Sequence, residues 1–309
     1  MANLTVLLPE LRRLAGSAVL ARWLSRGDRL PDSKPGREAA LRGCFELLGN
    51  TLPSAALTRS LDANDAAGAL WLRADPCHVA VDAVAVRLLA IGSLGLSQEE
   101  SGELARALRP LFGDAGFPLE AAAAERWYLR CAAEARLPRF TDPDLVLGDD
   151  LLQHLPNGDN ERQWRHLLNE AQVILHNHPV NARRTQRGLP AANSVWFWGA
   201  GKLPEWVRTP YARVVTDDAV AAALAKRAGV AALAVMRAGD IVHNAAKATL
   251  LDLAHARTTL QGDWFAPLDA AVRSGAIAAL TLRFEDGQAV SYKRRHRWRF
   301  WRRLRAGPT

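Results

Sequence analysis

The sequence predicts a layered α/β protein with a smaller α+β unit and a C-terminal β-hairpin, and three observations predict it. Beyond residue 190, short β-rich runs alternate with helical periodicities. Between residues 68 and 131 the order is strand, strand, helix, strand, strand. Asp286-Gly287, a hairpin dipeptide, separates two further β-rich runs. The chain has 309 residues, 49% hydrophobic and 23% charged, which is globular composition with enough length for one large or two medium domains and a true core.

Taken in order, residues 1–60 carry helical periodicity: Leu11, Leu14, Ala18, Ala21, Trp23 and Leu24 follow steps of three and four, with Arg12, Arg13, Arg22 and Arg26 largely off that stripe. A Gly/Pro/Asp-rich loop over 27–36 ends it, and a second helix is expected over 37–48, stopped by Gly49-Asn50. Residues 69–73 and 78–81 read as two strands split by the turn dipeptide Asp75-Pro76. Ser97 to Glu100 is a capping box that opens a helix to about residue 111, followed by strands over 117–120 and 126–131. Residues 140–161 hold Asp142, Asp144, Asp149, Asp150, Asp159 and Glu161 but no Lys or Arg, and carry Pro143 and Pro156. A solvated linker is the preferred reading of that stretch over an acidic surface that meets the basic tail. The expected division is therefore 1–138 as a helical and α+β region, 139–160 as an acidic linker, and 161–309 as an α/β region with a basic hairpin. A helix from Asp159 or Asn160 to about His176 follows, with Trp164, Leu167, Leu168, Ala171, Ile174 and Leu175 on its apolar face. Residues 181–188 read as a polar loop, and 193–198 as a strand ending at Gly199-Ala200-Gly201. Strands at 213–216, 248–253 and 276–284 alternate with helices at 218–227 and 263–272, and the Ala-rich run to residue 235 should close in a buried strand.

Lys+Arg 40 against Asp+Glu 32 gives +8, and eight cations fall within residues 293–309, so the remainder is neutral. That excludes a uniformly basic nucleic-acid coat protein. The basic-tail candidates are Lys293, Arg294, Arg295, Arg297, Arg299 and Arg302, with Arg303 and Arg305 beyond. Interleaved with Trp298, Phe300 and Trp301, they have the composition that grips phosphate backbones and stacks bases, or that suits an anionic membrane surface. The preferred expectation is a docked strand whose rings pack on the body while the Arg heads stay in water. Cys44, Cys77 and Cys131 form no Cys-x-x-Cys pair, the first residues lack a signal-peptide pattern, and no apolar run reaches the roughly 18 residues of a membrane span. A cytoplasmic location is expected.

The densest polar and aromatic constellation runs from His176 to Pro204. His178, Asn181, Arg183, Arg184, Asn193, Gly199 and Gly201 are its candidate anion pocket, with two adjacent guanidiniums and a strand stopping at Gly-x-Gly. Set against this, the glycines make a tight turn and the tryptophans fill the core, which is the favoured reading. Asp75 and His78, near Asp82, form either an acid/base pair or a local cap. Asp240 with His243 and Asp252 with His255 would ligate a metal only if folding joined them, and they are read as isolated polar residues. No Gly-x-Ser-x-Gly elbow occurs. No catalytic residue, metal or cofactor is expected. The expected partner is an unknown protein or a small anionic ligand, with nucleic acid an option through the tail.

The run His178-Pro-Val-Asn-x-x-Arg184, then Gly188-Leu-Pro-x-x-Asn-Ser-Val-Trp-Phe-Trp-Gly-x-Gly201-x-Leu-Pro, resembles the bacterial regulatory proteins of the RpfE type. Arg73-Ala-Asp75-Pro76-x-His78, Glu125-Arg-Trp-Tyr-Leu129, Leu155-Pro-x-Gly158 and Trp298-Arg-Phe-Trp-Arg302 support it. The Asn193 to Gly201 segment is also similar to archaeal-type cofactor-independent phosphoglycerate mutases, of the alkaline-phosphatase-like superfamily. That likeness implies a degenerate alkaline-phosphatase-like fold. It also implies a two-metal phosphoryl-transfer site, with an Asp-Gly after the first strand and a late His-x4-Asp-x3-His cluster. Here the first apolar run ends in Leu8-Pro9-Glu10, and the late cluster is missing. The implied protein is a non-catalytic regulatory or binding protein on an inherited scaffold without its metals. The alternatives are a metal-dependent mutase or phosphatase, and a nucleic-acid binder.

Overall fold

The computed structural model describes residues 2–14, 16–81, 85–243, 248–256 and 259–302. In chain order its first elements are β1 (Ala2–Leu8), α1 (Ala18–Arg26), β2 (Asp28–Arg29), α2 (Arg37–Arg42), β3 (Glu46–Leu47), α3 (Ser54–Asp62), β4 (Leu70–Val81) and β5 (Val86–Ile91). Then come α4 (Gln98–Asp114), β6 (Leu119–Ala123), β7 (Arg126–Cys131), α5 (Glu161–His176), α6 (Pro179–Gln186), β8 (Ser194–Lys202), β9 (Val207–Arg208) and β10 (Arg213–Val215). The last are α7 (Ala219–Arg227), β11 (Ala231–Leu233), α8 (Ala238–His243), β12 (Ala248–Asp252), α9 (Ala266–Ser274), β13 (Ile277–Phe284) and β14 (Ala289–Lys293). They form two compact units, one from residues 1–49 with 205–309 and one from 50–204.

The first unit is the layered α/β body. Its sheet runs β11-β10-β12-β1-β13-β14-β2, parallel from β11 to β13 and antiparallel beyond. A central parallel strand needs apolar side chains on both faces, and Val6, Leu7 and Leu8 of β1 are all fully buried. On one face Leu4, Val6, Leu251, Leu280 and Leu282 meet Leu20 and Trp23 of α1 and Leu268 and Val272 of α9. The periodic stripe of the first segment is therefore a helix from residue 18, entered through the Ser17 cap, whose hydroxyl accepts from Leu20 N at 3.2 Å.

Three expectations change in this unit. Ala2–Leu8, which fell within the segment read as helical, is a strand because it fills the sheet between β12 and β13. The second helix stops at Arg42, because Glu46 and Leu47 pair with Arg208 and Val207 instead of continuing it. The strand after α7 is exposed throughout, since β11 is the edge of the sheet and not a buried member.

The second unit is built on β4, a strand of 12 residues. Along one edge β4 pairs with β8; along the other it pairs with β7 up to Arg73 and with β5 from Cys77. Asp75-Pro76 was expected to be a turn, yet it lies where that edge changes partner, a position at which a proline interrupts no ladder. The helix-covered face holds Trp164 of α5, with Phe117, Phe140 and Phe197 ring centroids 4.6, 5.2 and 5.1 Å away. The capping box is present as read, with both its Ser97 and Glu100 bonds formed. The segment read as a polar loop is α6, because Pro179 at its first turn and the His178 cap start a helix there.

The acidic stretch 139–160 lies inside this unit and not between domains. Gly148 N donates to Leu88 O at 2.8 Å, the Trp196 indole N–H donates to Thr141 O at 3.0 Å, and Val146 and Leu151 are buried. Its acids are used locally: Asp142 and Asp150 accept from Asp144 N and Leu152 N. The chain instead passes between units near residues 49 and 204.

Candidate functional site

In an open parallel sheet, ligands and chemistry gather outside the carboxyl ends of the strands. In the first unit that edge carries Thr216 and Asp218 after β10, Asp252 and His255 at the end of β12, and Glu285 after β13. The loop before α2 delivers Arg37 there. It is zipped to the β13–β14 hairpin by Leu30 N to Ala289 O, Ser33 N to Gly287 O and Gly36 N to Glu285 O, at 2.9, 2.9 and 2.6 Å. Gly287 has φ +89°, and a Cβ there would collide with Ser33 O. Glycine is needed both to turn the hairpin and to let the loop approach.

The Arg37 guanidinium is the centre of this cluster. It makes a two-pronged bond to Asp252 at 2.9 and 2.5 Å, and lies 3.3 Å from Asp218 and 3.8 Å from Glu285. Thr216 Oγ1 donates to Asp252 at 2.9 Å, and His255 Nε2 lies 3.7 Å from Glu285. Arg37 is 8% exposed and Asp252 5%, so the pair sits in low dielectric. Burial disfavours the Asp252 charge, but Arg37 and the Thr216 hydroxyl outweigh it and hold this carboxyl below its ordinary range. Burial likewise works against the Arg37 charge, and the three carboxylates overcome it, raising its pKa.

The metal site implied by the mutase likeness does not fit this geometry. Among the described residues no group of three His, Cys, Asp or Glu side chains stands close enough to hold an ion. Asp252, the best-placed ligand, spends both oxygens on a guanidinium. Asp252 and His255 do join other polar groups, which their spacing alone did not show, and the cation they surround is organic. The His243 side chain, Asp82, Arg303 and Arg305 lie outside the described residues.

Beside α2, a shallow cleft of about 380 Å³ is lined by Arg42, Gly43, Cys44, Phe45, Glu46, Arg208, Thr209 and Pro210. The Thr209 hydroxyl donates to Cys44 O at 2.9 Å, which fixes its wall.

The polar residues of the candidate anion pocket in the second unit bond to other groups of the protein. His178 caps α6 by accepting from Val180 N at 3.3 Å, and burial lowers its pKa. Asn181 donates to Leu175 O and Ala192 O and accepts from Ala192 N. Arg183 pairs with Glu103 at 2.9 Å. Arg184, fully buried, donates to Pro190 O, Leu94 O and Glu100 at 2.9, 2.6 and 2.7 Å. Asn193 exchanges two 2.8 Å bonds with the backbone of Val79. Gly199 and Gly201 face α3: a Cβ on Gly199 would lie 2.9 Å from Ser54 Cβ, and one on Gly201 would strike Pro53. Asn181, Arg184 and Asn193 thus lock the segment 189–193, while the glycines let α3 pack on β8.

A buried charged network joins residues that stand in separate motifs of the sequence. Arg73 grips Asp75 through two 2.7 Å contacts, and Asp75 also accepts from the Trp198 indole at 2.7 Å and from Trp127 N at 3.2 Å. Tyr128 donates to Asp62 at 2.5 Å, and Arg126 binds the same carboxylate. Desolvation raises the Asp75 pKa despite these partners. The clue was available: Arg73-x-Asp75 at strand spacing puts both side chains on one face of β4. Asp75 and His78 do not pair, since His78 Nδ1 contacts Ala191 O at 2.8 Å.

The basic segment is docked, but with the opposite polarity to that expected. Arg299 bonds Asp28 at 2.5 Å and Arg26 O at 3.0 Å, and Arg302 bonds Gly27 O at 2.8 Å. Trp298, Phe300 and Trp301 are exposed. Lys293 ends β14, and Arg294, Arg295 and Arg297 lie on the short helix after it.

Comparison with known proteins gives partial matches. No protein-family model matches the chain. Over 62 residues, 20% of this chain and 16% of the other, it is 42% identical to the "Probable 2,3-bisphosphoglycerate-independent phosphoglycerate mutase" of Geobacter sulfurreducens. Over 68 residues, 22% of this chain and 17% of the other, it is 38% identical to the 2,3-bisphosphoglycerate-independent phosphoglycerate mutase of Methanothrix thermoacetophila. The chain therefore spans about a sixth of the length of these relatives. The solved cofactor-independent phosphoglycerate mutase of Thermoplasma acidophilum superposes with a TM-score of 0.41 at 15% identity, covering 95% of this chain and 90% of that one. The strand order itself establishes the architecture. No helix among the described residues is long and apolar enough to cross a membrane. What the matched segments establish is a short stretch of sequence similar to the cofactor-independent phosphoglycerate mutases, carried by a chain whose first unit is a layered α/β sheet.

Proposed function

We propose that this chain is a non-catalytic regulatory or binding protein of the RpfE type, built on a phosphoglycerate-mutase-like scaffold. One observation carries the reading: Arg37 fills the carboxylate cluster at the strand ends, where two-metal phosphoryl transfer would need open Asp and His ligands. A guanidinium neutralises the carboxylates yet accepts no lone pair, so it cannot activate water or a hydroxyl as a metal does. In the cleft beside α2, the Arg208 guanidinium offers a forked donor to a small anionic ligand of the regulator.

The test is metal analysis of the purified chain after Mn²⁺, Co²⁺ or Zn²⁺ loading, with interconversion of 3- and 2-phosphoglycerate and phosphoester hydrolysis assayed on the same sample. The expected result is no stoichiometric metal and no turnover. Stoichiometric metal with turnover of either substrate would overturn the reading in favour of a mutase or phosphatase.

A further inference from the structure

The docked segment turns Arg299 and Arg302 inward and its rings outward. After β14 the chain makes a short helix, Arg294–Trp298, whose His296 is fully buried against Tyr292. Arg26 donates to Arg297 O at 2.7 Å, while Arg299 and Arg302 reach back to the carbonyls of Arg26 and Gly27 and to Asp28. These bonds hold the backbone of 297–302 against the α1–β2 junction. With the arginine heads fixed below, Trp298, Phe300 and Trp301 project above, at 62%, 77% and 68% exposure. Phe300 and Trp301 meet edge to face at 5.5 Å, and the Arg297 guanidinium covers the Trp298 ring at 4.6 Å.

Three large rings held in water by a docked backbone form an apolar knob, and exposed Arg294 and Arg295 precede it in the chain. Tryptophan favours the headgroup layer of a bilayer, where its apolar body is buried and its N–H stays wet, and cations next to it are drawn to anionic headgroups. A single-strand groove would instead need free cations interleaved with its rings, and among the described residues Arg299 and Arg302, between and after the rings, are bound to protein oxygens. We propose that residues 294–302 are a peripheral membrane-docking knob, which inserts Trp298, Phe300 and Trp301 into the interface of a bilayer bearing anionic headgroups while Arg294 and Arg295 contact those headgroups. This inference stands apart from the reading of the Arg37 cluster.

The test is co-sedimentation of the full chain with vesicles of phosphatidylglycerol and phosphatidylcholine, with phosphatidylcholine alone, and, in parallel, retention of a single-stranded oligonucleotide. The comparison variant carries Trp298→Ser, Phe300→Ser and Trp301→Ser, and its circular dichroism melt should match the parent because the rings are exposed. Expected are binding to the anionic vesicles, weakened about tenfold or more in the variant, and a marked loss on phosphatidylcholine alone. Three outcomes would each overturn the proposal: no vesicle binding, vesicle binding unchanged in the variant, or oligonucleotide retention that the variant loses while vesicles are ignored.

Discussion

At the scale of single residues, Arg37 and Asp252 are the most consequential pair in the first unit. Removing one partner leaves a buried charge without its counter-ion, so Arg37→Ala is expected to lower stability by about 3–5 kcal/mol in urea unfolding. Because the folded pKa of Asp252 is depressed, its contribution is complete above the unfolded value of about 3.9 and is lost as pH falls through the folded value. Acid titration should therefore show a transition below about pH 4 that is smaller in Asp252→Asn. His296 behaves at higher pH. Desolvation first, then Arg299, lowers its pKa against the pull of Asp28, so the folded state prefers the neutral ring. Its stabilisation is full above the unfolded value of about 6.5 and is lost as pH drops through the folded one. The melting temperature should fall between pH 7.5 and pH 5.5, and His296→Gln should flatten that slope. None of this was readable from local sequence, since Arg37 meets Asp252 and Asp218, and His296 meets Asp28, only through sheet order.

At the scale of elements, periodicity and capping chemistry were legible wherever the decisive contacts are local. The Ser97 box, the apolar stripe of α5 and the Asp286-Gly287 hairpin all appear as read. Failures occur where a distant partner overrides a local signal: β8 holds β4 straight through Asp75-Pro76, and β9 captures Glu46-Leu47 from a helix. The Gly-x-Gly pair shows the same lesson for the candidate site. As a phosphate cradle it would face solvent; in the fold it faces Pro53 and Ser54, so its smallness serves helix-on-strand packing. Gly201→Ala should accordingly cost about 1–3 kcal/mol by overpacking against Pro53, measurable as a lower denaturation midpoint. A ligand-site role would instead leave the midpoint unchanged.

At the scale of the whole molecule, the two units differ in how the chain supplies them. Residues 50–204 are continuous and hold their own apolar clusters, with Trp164 and Phe197 in one and Trp196 in another. Expressed alone, that fragment should unfold cooperatively with native near-ultraviolet dichroism. Residues 205–309 alone should not, since β12 and β13 would face each other across the gap that β1 fills. Composition marked the acidic stretch as the boundary because charge is visible in sequence, whereas the real boundaries follow from which strands share a sheet.

The central place of β1 also sets a clock on synthesis. Asn3 pairs with Ala248 and Ala279, so β1 is synthesised well before either strand that borders it. At usual elongation rates an apolar strand with both edges bare waits roughly ten to fifty seconds for its neighbours. During that interval the second unit can complete itself, and whatever shields Ala2–Leu8 from other nascent chains governs the yield of the first.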